Sequence, residues 1–277
     1  MSSQEINNLA RLCIHTITTK PWDIEEAARE YSRSGVAGIS VWREAIEGRN
    51  VKATGRMLRD AGLTIVSYVR GGFFPAAAKN DRRAAIDDNL KLIDEAAELG
   101  APLLVLVCGA DPGLALDESR KQIRDGIAAI LPHAEACGIK LGIEPLHPMY
   151  ADCRSAINTL KQANDMVAEL ASDHLGVVHD VYHLWWDPDL KSETLRCGEG
   201  GNLLAFHVCD WKTPTEDLLL DRGLMGEGCI NIKQIRNWVE STGYNGFIEV
   251  EIFSSKYWAM DQNEFLTMII EAYLAHV

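Results

Sequence analysis

What most constrains this chain is an alternation that runs from end to end. Short apolar runs, rich in branched residues, are each followed by a stretch with helical spacing. The runs are Leu12 to His15, Val36 to Trp42, Leu63 to Val69, Pro102 to Cys108, Ile139 to Ile143, Leu175 to Val178, Leu203 to His207 and Phe247 to Ile252. Helices are predicted from the acid cap at Asp23, around Met57, and over Asp81 to Leu99, Glu118 to Cys137, Ser155 to Leu170, Ile232 to Glu240 and Glu264 to Leu274. Gly35, Gly62, Gly100, Gly138 and Gly243 punctuate the pattern just before the next apolar run, as C-terminal glycines do. Pro102 to Cys108 is apolar on both faces, which is how a parallel strand covered by helices reads. Eight such units in 277 residues predict an α/β fold, a closed (β/α)8 TIM barrel forming a single domain over residues 1–277. A doubly wound open sheet is the alternative, but no Gly-x-Gly-x-x-Gly follows any run. Two local expectations accompany this reading. Asn89 falls off the apolar phase of its helix, and Phe73 and Phe74 look like exposed aromatics in the turn-rich Arg70-Gly71-Gly72-Phe73-Phe74-Pro75 loop.

Composition narrows the class of protein. Apolar residues make up 47% of the chain, enough for a large core. A formal charge of −13 speaks against a nucleic-acid surface. No apolar run reaches the roughly 18 residues of a membrane span. Met1-Ser2-Ser3-Gln4-Glu5 lacks the basic-then-apolar order of a secretory signal, so a soluble, cytoplasmic protein with no membrane partner is expected. The seven cysteines are scattered without a Cys-x-x-Cys pair, which predicts reduced thiols.

In a barrel, chemistry gathers at the C-terminal ends of the strands. Here the fifth run ends in Glu144, the sixth leads to Asp180, the seventh ends in His207 and the eighth carries Glu251. Any one of these acids has an ordinary explanation as a helix cap or a partner of a lysine. Taken together, they aim three carboxylates and an imidazole at one rim. Carboxylates brought that close repel unless a cation lies between them. Oxygen donors with one imidazole suit a hard divalent cation: Mn²⁺ first, with Mg²⁺, Co²⁺ or Zn²⁺ also accommodated. His183, three residues after Asp180, is either a rim histidine satisfied by a backbone carbonyl or a group facing a ligand.

Several stretches carry a family resemblance: Gly142-Ile143-Glu144-Pro145, His179-Asp180-Val181-Tyr182-His183, Phe206-His207-Val208-Cys209-Asp210, Gly226-Glu227-Gly228, and Gly243 through Glu251. They resemble the xylose-isomerase-like superfamily of sugar phosphate isomerases and epimerases, strongly in the second half of the chain and only in element order in the first. The resemblance implies that Glu144, Asp180, His207 and Glu251 ligate a divalent metal, with Glu251 and not Glu249 in the family's position. It also implies that Glu144 and Glu251 move protons on opposite faces of a ketose while the metal stabilises an enediolate, and that His183 binds a substrate oxygen. Barrels of this family are often homo-oligomers.

Other residues near these motifs remain open. His147 could be a general base or a loop residue between prolines. Lys212 and Arg222 could hold a substrate hydroxyl, carboxylate or phosphate, or be solvated charges. Trp186 and Trp211, with Trp185, Trp42, Phe73 and Phe74, could wall a pocket or simply pack. The reading that follows is a metal-dependent isomerase or epimerase of a keto sugar. A lyase on the same scaffold is the alternative, of the inosose-dehydratase type or eliminating an aglycone from a 3-keto-glycoside; His147 and the tryptophans speak for it. A nuclease like endonuclease IV would need further histidines where this chain has Arg70, Gly109 and Arg222. A non-catalytic sugar-binding barrel would leave the four ligands without a role.

Overall fold

The structure is a computed structural model that describes residues 6–277, so the Met1 to Glu5 stretch lies outside the described residues. Its strands in chain order are β1 (Leu12–His15), β2 (Gly38–Trp42), β3 (Thr64–Gly72), β4 (Leu103–Val107), β5 (Lys140–Ile143), β6 (Leu175–Asp180), β7 (Leu203–Val208), β8 (Asp210–Trp211), β9 (Arg222–Gly223) and β10 (Ile248–Val250). The barrel closes in the order β1-β10-β7-β6-β5-β4-β3-β2 with parallel neighbours throughout, while β8 and β9 form a small antiparallel ribbon outside it. The helices are α1 (Ile24–Arg33), α2 (Val51–Asp60), α3 (Lys79–Leu99), α4 (Leu116–Cys137), α5 (Leu160–Leu170), α6 (Val181–Leu184), α7 (Leu190–Glu199), α8 (Ile232–Ser241), α9 (Ser255–Trp258) and α10 (Gln262–His276).

Local chemistry explains most boundaries. Asp23 accepts from the Glu26 amide and starts α1. Gly100 and Gly138 close α3 and α4 with φ of 83° and 70°, values a side chain would resist. The fifth helix starts later than its pattern suggested. Ser155 bridges to Gly109, and the Thr159–Gln162 capping box opens α5 only after that detour.

Two other expectations are corrected. Asn89 is on the buried face of α3, because its amide bonds both the N–H and the C=O of Gly72 at the end of β3. It supplies the partners that an irregular strand end lacks. Phe74 is core and only Phe73 is exposed, at 41%. Gly126 of α4 makes room for Phe74: a Cβ there would lie 2.4 Å from its ring.

Most of the core lies between barrel and helices. Inside, the two-residue period of a strand sends Gly142 and Glu144, Val178 and Asp180, Ala205 and His207, and Glu249 and Glu251 toward the axis. Below the rim this interior is apolar, with Val69, Leu103, Val105, Val178 and Ala205 in one cluster. At the rim it becomes ionisable.

Candidate metal centre

Strand register builds the site. Asp180 pairs with His207 across β6 and β7, and His207 pairs with Glu249 across β7 and β10. Glu251 follows two residues later, on the same side of the chain and one layer nearer the mouth. Glu144 enters from the end of β5, its amide held by the Leu106 carbonyl at 3.1 Å. Glu144, Asp180, His207 and Glu251 are all buried and each offers one ligand atom, with all four atoms within 4.8 Å of one another. His207 Nδ1 lies 3.1 Å from Glu144 Oε1. Asp180 Oδ1 accepts from the Tyr182 amide at 2.7 Å, so the cap of α6 fixes the carboxylate and leaves Oδ2 for the cluster. His179, one residue earlier, points the other way and bonds Thr194.

Glu249 belongs to a layer beneath. It takes hydrogen bonds from Ser40 at 2.6 Å and His15 Nε2 at 3.1 Å, and Ser67 donates to Ser40. His15 Nδ1 meets Glu251 Oε1 at 3.1 Å and also the Trp42 indole N–H at 3.2 Å. A ring protonated only on Nε2 satisfies Glu249 and Trp42. The doubly protonated ring satisfies both carboxylates and forfeits the indole. His15 is a participant that the strand-end argument missed, although Leu12-Cys13-Ile14-His15 carries the same signal of an apolar run ending in a polar group.

The proton equilibria follow from crowding. Burial pushes Asp180 up to about 7, with Arg222 opposing and Glu144 and Glu251 reinforcing. Burial disfavours charge on His207, yet Glu249, Glu144 and Glu251 together lift it to about 10. His183 is held neutral by burial and by the Arg222 charge.

Arg222, expected to face substrate, reaches into the cluster itself. It is 3% exposed, with Nη1 2.9 Å from Glu251 Oε2 and 3.5 Å from Asp180 Oδ2, and Nη2 3.2 Å from His183 Nε2. His183 Nδ1 meets the His147 amide at 3.3 Å. Both of these neighbours are donors, and a neutral imidazole accepts from only one. Lys212 is tied to Asp221 beside the β8–β9 ribbon and not to the cluster. His147 is half-buried with Nδ1 taking the Met149 amide at 3.2 Å, and burial lowers its pKa. Its ring lies 5.0 Å from Trp211 and 5.6 Å from Trp186. Trp211 also packs on Tyr182 and Trp185. Trp42 meets Phe253.

The donor set fits a divalent cation. Among the described residues, four buried carboxylates (Glu144, Asp180, Glu249 and Glu251) face the buried guanidinium of Arg222, while Nε2 of His207, 3.8 Å from Glu249 Oε2, and Oε1 of Glu249 have no hydrogen-bond partner.

A parallel barrel with this rim defines the class, and the chain belongs to the xylose isomerase-like TIM barrel family, whose sequence model matches residues 26–269. Among its relatives, an inosose isomerase of Bacillus velezensis is 24% identical over 200 residues, covering 69% of this chain and 68% of that one. The crystal structure of protein SMc04130 from Sinorhizobium meliloti 1021 is 44% identical with a TM-score of 0.93, covering 96% of this chain and 98% of that chain. The IolI protein, crystallised with a zinc atom, shares the fold at 18% identity and a TM-score of 0.82, covering 95% of this chain and 96% of that chain.

Proposed function

We propose that this barrel is a divalent-metal-dependent isomerase or epimerase acting on a keto sugar or a cyclic ketone of the inosose kind. The observation that carries the reading is the convergence of Glu144, Asp180, His207 and Glu251 on one buried point. The inosose isomerase relative and the zinc in IolI support it. The cation, with Mn²⁺ the first candidate, would be held by these four residues and would supply Lewis-acid stabilisation of charge developing on the oxygens of an enediolate.

The chain's own residues do the rest. Glu144 on the β5 side and Glu251 on the β10 side flank β6 and β7, so two carboxylates face one another across the site. That arrangement lets one remove a proton beside the carbonyl while the other returns it on the opposite face. His183, kept neutral, offers a nitrogen to a substrate hydroxyl once it is released from Arg222. The aromatic wall of Trp186, Trp211 and Tyr182 excludes water from the reacting carbons.

His147 favours a second reading, elimination by a lyase. Its Nε2 is left free by the Met149 bond, half-buried between tryptophans, where it could protonate a leaving group.

Proton NMR in D₂O with Mn²⁺ and candidate ketoses tests both. Exchange of the proton beside the carbonyl with an intact carbon skeleton is the expected result. Release of water or an aglycone would favour the lyase, and no exchange with any ketose or inosose would sink the isomerase reading.

A further inference from the structure

Two arginines at the barrel mouth have no anionic partner. Arg70 lies near the end of β3 and Arg154 in the loop between β5 and α5, and both are half-buried. The Arg154 guanidinium lies 5.4 Å from the Tyr150 ring, and that of Arg70 lies 5.4 Å from Trp42 and 5.1 Å from Phe73. Among the described residues, neither pairs with a carboxylate. Arg11, Arg43, Arg124 and Arg196 all sit on acids, and Arg59 and Arg82, which do not, donate instead to backbone carbonyls, whereas no such bond is made by the Arg70 or Arg154 guanidinium among the described residues.

The backbone locks the two loops together. Gly109, just past β4, donates to the Arg154 carbonyl at 2.8 Å and packs so tightly on the other loop that a Cβ would lie 2.6 Å from Phe73 Cα. Tyr150, beneath Arg154, brings its ring to 5.9 Å from that of His183. Burial depresses the Arg154 pKa first, and the neighbouring charges of Arg70 and Arg222 depress it further, with Glu144 opposing. Like charges are thus gathered beside the proposed substrate site. Solvation satisfies an arginine on an open surface. These two are withdrawn over aromatic rings and repel one another, an arrangement that an anion would relieve.

We propose that Arg70 and Arg154 bind an anionic group, a carboxylate or a phosphoryl group, carried by the keto sugar. That the anion belongs to a keto sugar rests on the function proposed above; the anion preference itself rests on the arginines. The planar fork of a guanidinium matches either group through paired hydrogen bonds.

Three compounds sharing one carbon skeleton separate the cases: D-fructose, D-fructuronate and D-fructose 6-phosphate. Equilibrium binding of each to the Mn²⁺-loaded protein, R154Q and R70Q is measured by titration calorimetry, with circular dichroism checking the fold. One or both anions should bind about 10- to 100-fold more tightly than D-fructose, with R154Q and R70Q each removing most of that advantage and R154K recovering part. Preference for one anion alone identifies the group. Equal binding of all three compounds, binding of neither anion, or an advantage that survives in both variants overturns the proposal. Anion preference without any proton exchange would instead leave the arginine site standing and sink the isomerase reading.

Discussion

Replacing Arg222 with methionine tests the electrostatics of this centre most directly. Among the described residues, Arg222 is the guanidinium in contact with the buried acids Asp180 and Glu251, and its Cζ lies 4.4 Å from the Tyr182 ring and 4.8 Å from the Phe253 ring. At a pH of about 8 the metal-free protein keeps His207 protonated, so four carboxylates against one guanidinium and one imidazolium leave two uncompensated negative charges at the rim. A dication that displaces the His207 proton reduces that excess to one. Methionine keeps apolar volume between the two rings but removes the charge, so the metal-free variant carries three. Breaking one side of a buried ion pair costs about 3–5 kcal/mol, and we expect R222M to lose that much in the presence of a chelator. A metal that binds only the folded state adds about 2.7 kcal/mol at 100 times its Kd. The extra negative charge tightens the site, so Mn²⁺ should stabilise R222M by more than it stabilises the parent. Urea denaturation of both proteins, in chelator and in excess Mn²⁺, measures the four stabilities. A loss below about 1 kcal/mol in chelator, well short of the buried-pair figure, or equal metal stabilisation of the two proteins, refutes the reasoning.

Three further outcomes follow from the same geometry. E251Q removes a proposed ligand oxygen and should weaken Mn²⁺ binding by more than the roughly 100-fold at the upper end for outer partners, with the fold intact by circular dichroism; unchanged affinity would remove Glu251 from the ligand set. His207, raised to about 10, binds in the folded state a proton that the unfolded chain releases near 6.5. Its stabilisation of the metal-free protein is therefore complete below about 6.5 and lost as pH rises through about 10. Metal needs the neutral ring, so Mn²⁺ uptake at pH near 8 should release a proton and affinity should rise with pH; calorimetry in buffers of different ionisation heat would show none if His207 is not a ligand. G126A drives a Cβ to within 2.4 Å of Phe74 and should lower stability by about 1–3 kcal/mol without altering metal binding; a neutral effect would contradict the core placement of Phe74.

Periodicity made the barrel legible because each strand is buried on both faces and each helix on one, so the pattern is local and repeated. The four candidate ligands were legible for a related reason. One acid at the end of an apolar strand has an ordinary explanation, as Asp180 does in capping α6, but four neighbouring strands repeat the pattern. Asn89 and Phe74 were misread because their partners lie elsewhere in the chain. A polar residue on a helix face gives no sign that a strand end needs its amide, and an aromatic beside glycines gives no sign of the cleft at Gly126. Arg222 was legible as a basic residue near the site but not as a buried one, since the ribbon of β8 and β9 that carries it inward has two-residue strands with no periodicity to read.

His15 shows what local spacing cannot encode. It lies 236 positions before Glu251, and the two meet only because the barrel closes β1 onto β10. Register then decides the contact: Ile14 pairs with Val250, so the next residue of each strand lies at the same height, and both point inward. Ser40 reaches Glu249 by the same logic from β2, and Ser67 on β3 donates to Ser40. The first half of the barrel thus supplies the groups that hold the lower carboxylate and orient the upper one, while the second half supplies the proposed ligands. Glu249 and Glu251 differ by one strand period, yet the layer beneath commits Glu249 to His15 and Ser40 and leaves Glu251 nearer the mouth, within reach of Glu144, Asp180 and His207. The choice between the two acids is therefore made by strands β1 and β2, at the opposite end of the chain from the acids themselves.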